Sequence, residues 1–114
     1  MVIVISSLSW IVLYRVSVHD TTMLKTFADR DTEALFGGTR VRRFVNIESL
    51  ARRKLEYLEA ALMLDDLRAP PGNRLGALKG DRPGQHSIRV NDQYRVCFRW
   101  QDGDAYDVEI CDYH

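Results

Sequence analysis

The sequence predicts a small α+β domain in which an N-terminal strand and a helical hairpin pack on a twisted antiparallel sheet. Three observations predict it. Leu50, Leu55, Leu58, Ala61 and Leu62 recur at helical spacing, behind a shorter helix-like stretch that ends at Gly37-Gly38. Ala69-Pro70-Pro71-Gly72 then breaks helical structure. From Gln85 onward, apolar and polar residues alternate in runs separated by short turns.

Met23-Leu24-Lys25-Thr26-Phe27 opens the domain, and Leu24–Ala28 reads as its first strand, joined to the sheet. Asp29–Phe36 offers Asp29 or Asp31 as the N-cap of a short helix and the glycine pair as its stop. Asn46-Ile47-Glu48-Ser49 supplies a cap and a first-turn acid for the second helix. Arg52, Arg53, Lys54, Glu56 and Glu59 fall mostly on the other faces of that helix, and Leu64–Leu67 extends or follows it. In the strand region, His86, Ile88 and Val90 oppose Gln85, Ser87 and Arg89, while Tyr94, Val96, Phe98 and Trp100 oppose Arg95, Cys97 and Arg99. Asn91-Asp92-Gln93 and Gln101-Asp102-Gly103-Asp104 are the turns. Ala105–His114 is the last strand, with Tyr106, Val108 and Ile110 apolar. Successive strands joined this closely pair antiparallel.

A chain of 114 residues with 46% apolar and 28% charged residues fits one domain with one modest core. Sixteen basic and sixteen acidic residues cancel, so net charge excludes no partner, but the distribution is uneven. Arg74, Lys79, Arg82, Arg89, Arg95 and Arg99 face only Asp81 and Asp92 within their stretch, whereas Asp102 to Asp112 carries acids and no cation. The first stretch is a candidate anion site and the second can brace it. Most of the cations are arginine, whose planar fork suits phosphate. Cys97 and Cys111 form no CxxC pair and read as small, partly buried residues of a reduced, cytoplasmic chain. His19, His86 and His114 are scattered, and with two cysteines give no metal-ligand spacing; no metal or organic cofactor is expected. His86 falls on the apolar face, as a satisfied core histidine. The chain has no GxGxxG, P-loop or GxSxG motif.

Met1–Val18 is strongly apolar with a single charge, Arg15, but Ser6, Ser7, Ser9 and Arg15 interrupt it short of the roughly 20 apolar residues a spanning helix needs. No cation precedes it and no clear cleavage site follows, unlike a secretory signal. Residues 1–22 are read as an extension from an upstream start. A membrane-associating segment and an added edge strand are the alternatives. Residues 23–114 are read as the functional domain.

Period-two geometry sets Arg89, Arg95 and Arg99 on the face away from Ile88, Val96 and Phe98, and separates Tyr113 from Val108 and Ile110. Arg95 and Tyr113 are thus expected to meet near the end of the sheet, approached by Lys79 from the loop Leu78–Gly84. His114 follows directly; its ring titrates near neutrality. Fixed cations beside a proton-transfer group suggest phosphate-ester chemistry on RNA. A 2′-hydroxyl must lose a proton, the phosphorane needs cations and the 5′-oxygen needs a proton. The plainer expectation is a frayed terminal histidine, a solvated Lys79, and arginines paired with cross-strand acids such as Asp107 or Glu109.

Pro70-Pro71-Gly72-Asn73-Arg74-Leu75, Leu78-Lys79-Gly80-Asp81-Arg82, Gln85-His86-Ser87-Ile88-Arg89-Val90-Asn91-Asp92-Gln93-Tyr94-Arg95 and Asp112-Tyr113-His114 together closely resemble the HigB-like toxins of type II toxin–antitoxin systems, within the RelE/ParE superfamily. The resemblance covers the chain from Met23 onward. It implies a RelE/ParE-like fold and a ribosome-dependent endoribonuclease that cuts translated mRNA in the ribosomal A site without metal. It also implies neutralisation by a HigA-like helix-turn-helix antitoxin, operator DNA being bound only through that complex, and no membrane partner. Carried over, Lys79 and Arg95 stabilise the phosphate, Tyr113 positions the RNA or the histidine, and His114 transfers the proton. Gln93, Arg89, Arg82 and Arg74 are assigned to RNA binding. Relatives of the ParE type share the fold but inhibit DNA gyrase, and a weak toxin acting mainly as antitoxin co-repressor is a further alternative.

Overall fold

A computed structural model describes residues 24–112. Asp29 caps α1 (Arg30–Phe36): its carboxylate accepts from the Thr32 N–H at 3.3 Å and from the Thr32 hydroxyl at 2.6 Å. The Thr32 hydroxyl oxygen in turn accepts from the Ile110 N–H at 3.0 Å, which ties the helix to the sheet. Gly37 ends the helix, and Gly38 follows at φ +98°, open to glycine without steric cost.

The second helix, α2 (Glu48–Ala60), begins differently from expectation. A 3₁₀ turn, Arg42–Ile47, runs directly into it, so Asn46 lies inside that turn and no side chain caps α2. The helix buries Ala51, Lys54, Leu55 and Leu58, a stripe at i, i+3, i+4 and i+7. Lys54 therefore belongs to the buried face, only 8% exposed, and not to the polar one. Leu62 lies beyond the helix end and is 73% exposed, because the backbone turns extended at Ala61. Short 3₁₀ turns at Leu64–Arg68 and Pro71–Asn73 carry the chain to the sheet.

The sheet has the order β1 (Gly76–Ala77), β2 (Gln85–Arg89), β3 (Tyr94–Gln101), β4 (Asp104–Asp112), with every neighbouring pair antiparallel. The two-residue β1 is not signalled by any alternation. The N-terminal segment joins the far edge: Leu24 and Phe27 bridge Ala105 and Val108 in parallel, two isolated bridges where a strand over Leu24–Ala28 was expected. Asp102 and Gly103, at φ +54° and +83°, form the two-residue turn between β3 and β4, the primed type that matches strand twist.

One feature of β4 overturns the simple alternation. Between Cys97↔Glu109 and Arg99↔Tyr106 the register slips by one residue, and Asp107 takes a left-handed φ of 53°. Val108 and Ile110 stay buried, but Tyr106 is set opposite Arg99, on the other face from Val108. Thr26 services the bulge: its hydroxyl oxygen accepts from the Asp107 N–H at 2.8 Å and its carbonyl from the Val108 N–H at 3.1 Å. The core lies between the helices and the inner face of the sheet, around Leu35, Phe44, Leu55, Leu58, Val96 and Phe98. Among the described residues no helix is long and apolar enough to cross a membrane.

Candidate functional site: a cationic sheet face

Ile88 and Val96 point into the core, so their strand neighbours Arg89 and Arg95 emerge on the opposite face, directly across from each other in the β2–β3 register. Like charges placed opposite in a sheet repel, which packing alone would not select. Each guanidinium is restrained. Arg89 Nη2 pairs with Asp92 in the following turn, not with a cross-strand acid. Arg95 Nε donates to Ser87 Oγ at 2.7 Å, and Arg95 Nη2 donates to the Arg74 carbonyl at 3.0 Å. Ser87 is buried, which orders the anchoring hydroxyl.

The acids of β4 brace neighbouring cations. Arg82 returns over this face from the β1–β2 loop, and its Nη1 reaches Gln85 Oε1 at 3.1 Å and Glu109 Oε1 at 3.2 Å. Arg99 pairs with Asp107 at 3.2 Å. Gln93 Nε2 donates to Asp112 Oδ2 at 3.1 Å, holding the turn against the last described residue. Asn91 Oδ1 accepts from the Gln93 and Tyr94 N–H groups at 2.9 and 2.7 Å, so the turn is closed from within.

Between Arg82 and Arg95 lie two buried thiols, Cys97 and Cys111, on the same side of β3 and β4. The neighbouring Cys111 thiol, helped by Arg82 and Arg95, holds the Cys97 thiol below its ordinary value against the effect of burial. The adjacent Cys97 thiol, together with burial, pushes Cys111 up. His86 stacks on Phe98, with centroids 6.2 Å apart, and its buried Nδ1 has no hydrogen-bond partner among the described residues. The residue is half-buried against Phe98, and its Nδ1 is not the satisfied group the sequence led one to expect.

Of the site residues expected from sequence, Arg74, Arg82, Arg89, Gln93 and Arg95 share one face and its margin. Arg74 enters differently than expected, because its backbone carbonyl, not its side chain, makes the contact. Lys79 is exposed in the loop joining β1 to β2, toward the Gln85–Arg99 end of the register and away from the Arg89–Arg95 pair. Among the described residues no carboxylate pairs with Lys79. Tyr113 and His114 lie outside the described residues, as does the extension 1–22. Sequence reasoning missed Ser87, Asn73 and Lys54. Only Lys54 left a signal, its i+3 spacing from Ala51.

A family model described as the RelE-like toxin of the type II toxin–antitoxin system HigB matches residues 19–114. "Toxin HigB-1" of Vibrio cholerae is 45% identical over 90 residues, spanning 77% of this chain and 95% of that protein. "Endoribonuclease HigB" of Proteus vulgaris is 46% identical over 41 residues, spanning 36% of this chain and 45% of that protein. Among solved structures, the YoeB–YefM complex from Staphylococcus aureus is similar at 19% identity and a TM-score of 0.49, over 80% of this chain and 94% of that one.

Proposed function

The chain belongs to the HigB-like toxins of type II toxin–antitoxin systems, and from that premise we propose that it is a ribosome-dependent mRNA endonuclease working on the arginine face of its sheet. The observation that carries this reading is the cross-strand pairing of Arg89 with Arg95, two cations held together by Asp92, Ser87 and the Arg74 carbonyl. Preorganised cations aimed at a phosphate cost no reorganisation as charge develops, and such stabilisation is usually the largest catalytic contribution.

In the proposed reaction, the RNA 2′-oxygen bonds to the adjacent phosphorus as its proton leaves, and the phosphorus–5′-oxygen bond breaks as that oxygen gains a proton. Arg95 and Lys79 stabilise the phosphorane, with Lys79 swinging in on its loop. Tyr113 orients the RNA or the imidazole, and His114 transfers the proton, worth a factor of about 10²–10⁴. Arg89, Arg82, Arg74 and Gln93 hold the strand on either side. The ribosome supplies the substrate orientation that so small a face does not. The activity is cytoplasmic, carried by residues 23–114, and a HigA-like helix-turn-helix antitoxin neutralises it. The support for that partner is the family itself, whose description is that of a toxin–antitoxin system.

Expression of the full chain and of His114→Gln in growing cells tests the reading. The wild type arrests growth and the variant does not, while both fold and both bind the antitoxin. Undiminished arrest by His114→Gln would remove the proton-transfer role. Arrest with intact mRNA and altered DNA topology would replace the nuclease by a gyrase inhibitor.

A further inference from the structure

Asn73 is completely buried, yet it is polar and sits in a three-residue 3₁₀ turn, outside the sheet ladder. Its amide group is fully committed. Oδ1 accepts from Lys54 Nζ at 2.7 Å, and Nδ2 donates to the carbonyls of Leu67 and Ala69, both at 3.1 Å. One short side chain that accepts once and donates twice is what this position requires, and asparagine meets it. Directly after it, Arg74 is forced into the left-handed region, φ 48° and ψ 53°, which turns its carbonyl onto Arg95 Nη2.

Lys54 is the second half of the device. It is 8% exposed, its ammonium lies 5.3 Å from the Tyr57 ring, and among the described residues no carboxylate pairs with it. A buried ammonium without a counter-ion costs stability, and departures of this kind concentrate where geometry serves function. What Lys54 achieves geometrically is to tie α2 to the turn that carries the Arg74 carbonyl.

We propose that Asn73 is a positioning residue which, held by Lys54, fixes the turn whose Arg74 carbonyl aims the Arg95 guanidinium. This rests on the nuclease reading above and adds to it a buried support, reaching from α2 to the cationic face.

The test is single-turnover cleavage of translated mRNA in ribosome complexes by the full chain, with ribosome affinity measured beside it. Asn73→Asp keeps the size and the acceptor but loses the two donated bonds. It is expected to slow cleavage by up to about 10²-fold, the effect of a small misplacement, with ribosome affinity unchanged. Lys54→Met is expected to slow cleavage as well, and Lys54→Gln, whose amide can donate to Asn73 Oδ1, to recover most of the rate. On the Arg95→Ala background, Asn73→Asp and Lys54→Met should each add no further loss, because residues acting through one group are not additive. A full additional loss on that background, or wild-type cleavage by both Asn73→Asp and Lys54→Met while Arg95→Ala is slow, overturns the proposal and leaves the nuclease reading standing. Wild-type cleavage by Arg95→Ala itself overturns the Arg95 role and this proposal together. If Asn73→Asp does not fold, the Lys54→Met and Lys54→Gln pair completes the same comparison.

Discussion

Arg95 shows how much a single side chain's role depends on groups that sequence does not pair with it. Alternation alone puts Arg95 on the outer face, but its aim comes from Ser87 Oγ and from a carbonyl 21 residues away in the chain. Those anchors are invisible to periodicity, because a serine reads as a neutral strand residue and a backbone carbonyl has no sequence identity. Lys54 is the opposite case: its spacing from Ala51, Leu55 and Leu58 marks it for burial, and only its charge argues otherwise. Burial, with Arg53 and Arg89 nearby, pulls the Lys54 ammonium below its ordinary value. Between that lowered value and the ordinary one near 10.5, the unfolded chain binds more protons at this site than the folded one, so stability contributed here rises with pH. Chemical denaturation of wild type and Lys54→Met across the alkaline range should therefore show wild type gaining on the variant as pH approaches 10.5; a gap that is constant or narrows the other way contradicts the burial account.

The elements divide by how local their causes are. Helix α1 is legible end to end, since Asp29, Gly37 and Gly38 act within one turn of it. Removing the cap should be felt: Asp29→Ala loses the Thr32 contacts and the 3.0 Å pair with Arg43, and thermal or urea unfolding should register a loss of about 1–2 kcal/mol. An unchanged midpoint would mean that Thr32's bond to Ile110 alone fixes the helix. The start of α2 was not legible, because a 3₁₀ turn buried through Phe44 and Ile47 replaces a polar cap. Nor was the fate of Tyr106. A bulge depends on long-range service, here from Thr26 across 81 residues of chain, and one slipped residue exchanges the faces. The β3–β4 turn, by contrast, is carried by Asp102-Gly103 themselves and matches the sequence reading.

For the whole molecule, the order of the two helices and of the three longer strands, the single core and the arginine-bearing outer face follow from hydrophobic period and turn residues. The acidic stretch expected to brace the basic one does so at Asp107 with Arg99 and at Glu109 with Arg82, while Asp112 holds Gln93. The folded domain thereby carries its cations pre-aligned, while net charge stays at zero. In the proposed reading the ribosome, and not attraction to net charge, delivers the transcript to this face. The most direct measurement of it is the mapping of new mRNA ends after ribosomes stalled on a defined codon are mixed with wild type or with Arg95→Ala. Breaks confined to the A-site codon are expected for wild type, strongly reduced for Arg95→Ala, with little cutting of the same RNA free in solution. Equal cutting by both proteins, or cutting of free RNA at sites unrelated to the ribosome, would contradict it.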